Sequence, residues 1–217
     1  ALALADARED AIRFLQPGLY AIHRQILEAL PSYVTARIAS AEIPIVVGIR
    51  SDIPTTEIAI AARATMEWLG AAMAPRQLPG IDVIAEMGDA PSERRSVTAG
   101  LLHGRIIALV RRASLSAHSS LLDADVDLGP LTSTAVHDAL VREYGGGHMP
   151  DIDAWPAVLP YDMLDLATAK GGTAIEAWAI VRSLGDTDGK KIEPQSSVGP
   201  APSLDDLHGY GEAIDWA

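Results

Sequence analysis

Apolar and polar positions alternate in blocks along this chain, and the clearest blocks lie between Val97 and Val141. VTAGLLHG reads as a helix, RIIALV as a strand, SLSAHSSLLDA as a polar turn with a short helix, DVDLG as a strand and PLTSTAVHDALV as a helix. Alternation of β and α segments predicts a parallel sheet with helices on its faces. RIIALV is apolar without a break, as expected of a strand covered on both sides. Upstream, Ile43 to Ile49 (IPIVVGI) and Ile81 to Met87 (IDVIAEM) are two more strand candidates. The prediction is an α/β fold with a parallel sheet of about four or five strands flanked by helices.

Residues 2 to 15 read as an alanine-rich helix ended by Pro17-Gly18. Leu19 to Ser40 carries an apolar stripe of Ile22, Ile26, Leu27, Leu30 and Val34, interrupted at Pro31, where a proline breaks or kinks a helix. Both segments read as flanks for the sheet. Thr55 or Thr56 is placed to cap a helix over Glu57 to Met73, with Glu57 matched to the dipole. Met66 and Trp68 on that helix read as packing residues. After Tyr144 a loop with three glycines leads to two short helical patterns, Tyr161 to Lys170 and Thr173 to Leu184, which form a small helical subdomain. Gly185 to Ser203 is polar and proline-containing, a linker by composition. The resulting division is 1–40 N-terminal helices, 41–148 sheet domain, 149–185 helical subdomain, and 186–217 linker with the start of a following segment.

Ligands of open parallel sheets bind outside the carboxyl ends of the strands. That rule singles out Arg50 and Asp52 after the first strand, and Glu86 and Asp89 after the second. Asp123, Asp125 and Asp127 alternate and so share one face; a cation site and a solvated edge strand both fit, and the edge strand is the simpler reading.

Composition narrows the function classes. The net charge of −12 argues against a nucleic-acid backbone or an anionic membrane as main partner, despite the local pair Arg111 and Arg112. Absence of cysteine excludes disulfides, thiolate metal sites and cysteine catalysis, and fits a cytoplasmic location. No run approaches the length of a membrane span, and the first residues lack the layout of a signal peptide. The chain starts without methionine, as a processed product or excised piece would.

Nucleotide and hydrolase motifs are missing. GDTDGKK, Gly185 to Lys191, is the string nearest to a P-loop; it is one residue short between its glycines, has Lys191 in place of Ser or Thr, and follows a helix. Glu86 and Asp89 have the wrong spacing for an acidic pair that holds magnesium. There is no G-x-G-x-x-G, no H-E-x-x-H and no G-x-S-x-G, and His103, His118, His137 and His148 show no metal spacing. No residue is assigned to catalysis or to a metal.

The central stretch GLLHGRIIALVRRASLSAHSSLLDADVDLGPLTSTAVHDALV resembles the long region that precedes the ATPase module in many bacterial AAA+ ATPases, some of them fused to a zinc-dependent protease. The tail PSLDDLHGYGEAIDWA is similar to the segment just upstream of that module, matching at Leu204, Leu207, Gly209, Tyr210, Gly211, Ala213 and Trp216. The likeness covers about Val97 to Leu184 and Ser203 to Ala217. It implies that the chain is the amino-terminal region of an AAA+ protein and ends before the P-loop, with ATP and magnesium belonging to the parent protein. A sheet followed by a small helical subdomain is also the layout of an AAA+ module, so the region would be a degenerate copy. Active modules carry an arginine at the start of the last helix; Lys170, ahead of Gly171-Gly172-Thr173, is the nearest candidate. The expected function is non-catalytic recognition of a protein substrate or adaptor, or ring assembly as a homo-oligomer, with the ATPase module in cis. A small-molecule-binding α/β domain or enzyme, with its site near Arg50, Asp52, Glu86 and Asp89, is the alternative.

Overall fold

The computed structural model describes residues 2–40, 42–71, 80–85, 90–112, 121–156 and 159–189. In chain order the elements are α1 (Leu2–Ile12), α2 (Pro17–Ala29), α3 (Ser32–Ala39), β1 (Ile45–Ser51), α4 (Thr55–Gly70), β2 (Ile81–Ala85), α5 (Ala90–Leu102), β3 (Ile106–Arg112), β4 (Ala124–Leu128), α6 (Ser133–Tyr144), α7 (Met163–Lys170) and α8 (Ala174–Gly189). The four strands form one parallel sheet in the order β2-β3-β1-β4. The α/β class with helices flanking a parallel sheet is therefore the observed architecture.

The central strands β1 and β3 are buried almost throughout, which is why their sequences lack alternation. Their odd and even positions enter different layers. Ile45, Val47, Ile49, Ile106, Ala108 and Val110 join the large core with α2, α4, α6, α7 and α8. Val46, Ile107 and Leu109 face the other way and pack with Ile84 and with Val97 of α5. Edge strand β4 does alternate: Ala124, Val126 and Leu128 are buried, and Asp125 and Asp127 are exposed.

Helix α2 is more than a flank. Ala21, Ile22 and Ile26 have no solvent exposure, and the helix lies against α4 and α6. Pro17 does not end α1; it opens α2, where its fixed φ suits the first turn and its missing N–H has no intrahelical partner to lose. Arg142 of α6 donates to the carbonyls of Ile12, Arg13 and Leu15, satisfying groups left over at the end of α1, and its guanidinium lies 4.5 Å from the centre of the Tyr20 ring. Pro31 breaks the Leu19 to Ser40 pattern into α2 and α3. Met66 is fully buried; Trp68 carries Arg8 4.4 Å over its ring.

His23 lies at the centre of the α2–α4 contact and is 1% exposed. Thr65 Oγ1 donates to the Ala61 carbonyl at 2.7 Å. Its proton is thus engaged, so the 2.9 Å contact with His23 Nδ1 is a ring N–H donating to the hydroxyl. Burial, with the positive charges of Arg24 and Arg142, pulls His23 down to about 3, and the ring is neutral near pH 7.

Helices α7 and α8 dock through polar contacts at the sheet's carboxyl side. Gly18 N–H, at the start of α2, donates to Asp165 Oδ1 at 2.6 Å, and Tyr144 Oη donates to the carbonyls of Thr168 and Gly171. Burial raises the Asp165 carboxyl above its ordinary range, against the lowering effect of the Gly18 N–H. A side chain on Gly18 would sit 2.8 Å from the Tyr161 carbonyl oxygen, so the approach of α2 to α7 needs glycine. Helix α8 runs to Gly189, beyond the predicted boundary at Leu184. The rest of the predicted linker, the GDTDGKK residues from 190 on and the tail from Ser203 to Ala217 lie outside the described residues.

Candidate functional site

At the carboxyl ends of β1 and β4 the sheet opens into a cleft of about 550 Å³. Its floor is the last residue of each strand. Ser51 Oγ donates to the Leu128 carbonyl and accepts from the Ile53 N–H, both at 3.2 Å, tying the turn into α4 to the end of β4. Buried Gln25 of α2 donates to the Gly129 and Pro130 carbonyls, which fixes the loop after β4. Thr132 then caps α6 by accepting from Ala135 N–H at 3.1 Å.

The opposite wall comes from the loop before α7. Trp155 is buried, and its Nε1–H donates to the Leu159 carbonyl at 3.0 Å. Leu159, Pro160, Tyr161 and Asp162 line the cleft beside it. Gly185 of α8 lies against Pro156; a side chain there would meet the proline ring at 2.8 Å.

Three carboxylates reach the cleft from three segments: Asp52 after β1, Glu57 in the first turn of α4, and Asp162 ahead of α7. Tyr161 and Glu57 line the same cleft. Burial and the neighbouring Glu57 charge raise the phenol above its ordinary value, so Tyr161 stays a donor across the physiological range. Among the described residues no Arg, Lys or His forms an ion pair with Asp52, Glu57 or Asp162. The N-terminus of α4 supplies about half a positive charge, against three negative ones.

Of the candidates read from sequence, Asp52 alone is shown lining this cleft. Arg50 follows Val46 and Gly48 onto the α5 side of the sheet, where Nε meets Asp125 Oδ1 at 3.2 Å and a terminal nitrogen meets Asp127 Oδ2 at 3.5 Å. Lys170 is exposed in the last turn of α7 and does not line the cleft. Glu86 and Asp89 lie outside the described residues. Thr55 and Thr56 make no capping bond to α4, whose N-cap position is Pro54; Thr56 donates to Glu57 instead. A second hollow of about 380 Å³ adjoins on the β3 side, with Asp52, Thr55, Thr56 and Arg112 around it.

The alternating acids do share one face and lie on or beside an edge strand. Asp123 Oδ1 accepts from Arg37 at 2.7 Å and its Oδ2 accepts from the Val46 N–H at 2.8 Å, while Asp125 and Asp127 take Arg50. Gly48 makes room for this: a Cβ there would lie 2.9 Å from Asp125 Oδ1. Among the described residues no group of histidines and carboxylates is arranged to hold a metal ion. His103, His137 and His148 are exposed, and His118 lies outside the described residues.

Sequence reasoning missed Tyr161, Asp162 and the cleft role of Glu57. One signal was available: Trp155 and Tyr161 stand in a proline-rich loop, where aromatic rings have no regular element to pack. No helix among the described residues is long and apolar enough to cross a membrane. Comparison of the chain with known protein families, curated proteins and solved structures gives no match.

Proposed function

We propose that this chain is a non-catalytic recognition domain of an AAA+ ATPase, binding a protein substrate or adaptor while a module in cis hydrolyses ATP. The observation that carries this reading is the charge of the cleft. It occupies the position where open parallel sheets hold phosphorylated ligands, yet its charged lining residues are Asp52, Glu57 and Asp162, without a basic group among them. Three carboxylates repel a triphosphate, and no glycine-rich loop offers backbone N–H groups to one between β1 and α4. The resemblance to regions preceding AAA+ modules supports the same role, as does the sheet followed by α7 and α8. On this reading magnesium and ATP belong to the parent protein.

Calorimetric titration of the chain with magnesium and ATP checks this. The expected outcome is no saturable heat up to millimolar nucleotide; a micromolar Kd that depends on magnesium overturns the reading. The alternative, a small-molecule-binding domain, is favoured by the cleft volume alone, which falls in the range of small-ligand sites of roughly 300–1,000 Å³.

A further inference from the structure

We infer that the cleft receives an arginine or lysine side chain from an extended peptide segment of the recognised protein. This rests on the recognition role proposed above and adds the chemistry of what is recognised.

The first support is a difference in how the fold treats its carboxylates. Asp82, Asp123, Asp125, Asp127 and Asp138 each have an arginine within 3.5 Å. In a chain with 29 acidic and 17 basic residues many acids go without such a partner. Scattered over a surface they are simply hydrated. Asp52 and Asp162, both exposed, and half-buried Glu57 line one cavity from three segments.

The second support is the wall between the charges. Trp155, Leu159, Pro160, Leu131 and the Tyr161 ring line the cavity, so it is an apolar and aromatic slot with acids around it. Arg and Lys match that arrangement, with an apolar stem and a charged head, and aromatic rings add attraction for a cation. The third support is preorganisation. Thr56 donates to Glu57, which holds the acceptor in place before a ligand arrives. At about 550 Å³ the cleft is larger than one side chain and has room for flanking backbone, which favours a peptide over a free amine.

The test is fluorescence anisotropy with a labelled peptide carrying one arginine between leucines, and a matched peptide with neutral citrulline in its place. The arginine peptide is expected to bind on the order of tenfold tighter, the worth of one charge-assisted hydrogen bond. Glu57→Gln and Asp162→Asn are expected to erase that preference, with circular-dichroism melts confirming that both variants fold. Asp127→Asn, at the β4 edge, leaves it intact. Free arginine amide competes only at far higher concentration. Equal binding of the two peptides overturns the cationic assignment but leaves protein recognition standing. Binding of neither peptide also overturns the assignment. Arginine amide binding as tightly as the peptide overturns the peptide source, and saturable binding of magnesium and ATP overturns the recognition role itself.

Discussion

Asp123, Asp125 and Asp127 leave the β4 edge on one face and meet Arg37 and Arg50; Asp52, Glu57 and Asp162 converge on the cleft and, among the described residues, pair with no base. Both sets are carboxylates at the margin of the same sheet. At β4 the charges are part of the structure. Asp123 in particular accepts a main-chain N–H of β1 as well as a guanidinium, so it joins the strand edge to α3. At the cleft, among the described residues, the donor shown for these side chains is the Thr56 hydroxyl, on Glu57. The comparison separates charge that serves folding from charge that, on the proposal above, meets an external partner.

The strongest way to break the comparison is Asp123→Ala. It strips the Val46 N–H of its acceptor and leaves Arg37 without its carboxylate, so a loss of about 2–3 kcal/mol is expected, read from the urea midpoint. A loss below about 0.5 kcal/mol would show that the β4 acids are as dispensable as surface charges.

A base without an acid partner sharpens it next. His23 is held neutral in the fold, at about 3, whereas in the unfolded chain it titrates near 6.5. The unfolded state therefore binds more protons between those values, and the contribution of His23 to stability is complete above pH 6.5 and is lost as pH falls toward 3. Between pH 6.5 and 5 the expected loss is about 2 kcal/mol. His23→Gln, which keeps a donor for Thr65, should flatten that part of the profile. An unchanged slope would show that the histidine is protonated in place.

The smallest expected effect is the most telling. Asp52→Asn, Glu57→Gln and Asp162→Asn combined should change stability by no more than about 0.5 kcal/mol, since mutual repulsion is relieved and no ion pair is lost. Arg50→Met, by contrast, removes the partner of two β4 acids and should cost up to about 1 kcal/mol, more at low salt. If neutralising the cleft destabilises the chain more than Arg50→Met does, the cleft acids are structural and the contrast fails.

Much of the fold was legible because its signals are local. Uninterrupted apolar runs marked β1 and β3 as doubly covered strands, and Pro31 marked the break between α2 and α3. Alternation from Asp123 to Asp127 placed three acids on one face. Pro17 misled because the same residue stops one helix and starts the next; Arg142, more than a hundred residues away, decided the matter by holding the end of α1. For the candidate site, the rule of strand carboxyl ends named Asp52, which lines the cleft. It also named Arg50, which the alternation of β1 turns to the other face.

Sequence by itself determined the α/β class, the approximate strands and helices, and the acidic character of the chain, since periodicity and charge are properties of neighbours along the backbone. Which acids are matched by a base and which line the cleft was decided only in three dimensions. Glu57 and Tyr161 are separated by about a hundred positions, and they meet because α7 docks on α2 through Gly18 and Asp165. A carboxylate reads the same in every sequence; its role follows from the group that packing brings against it.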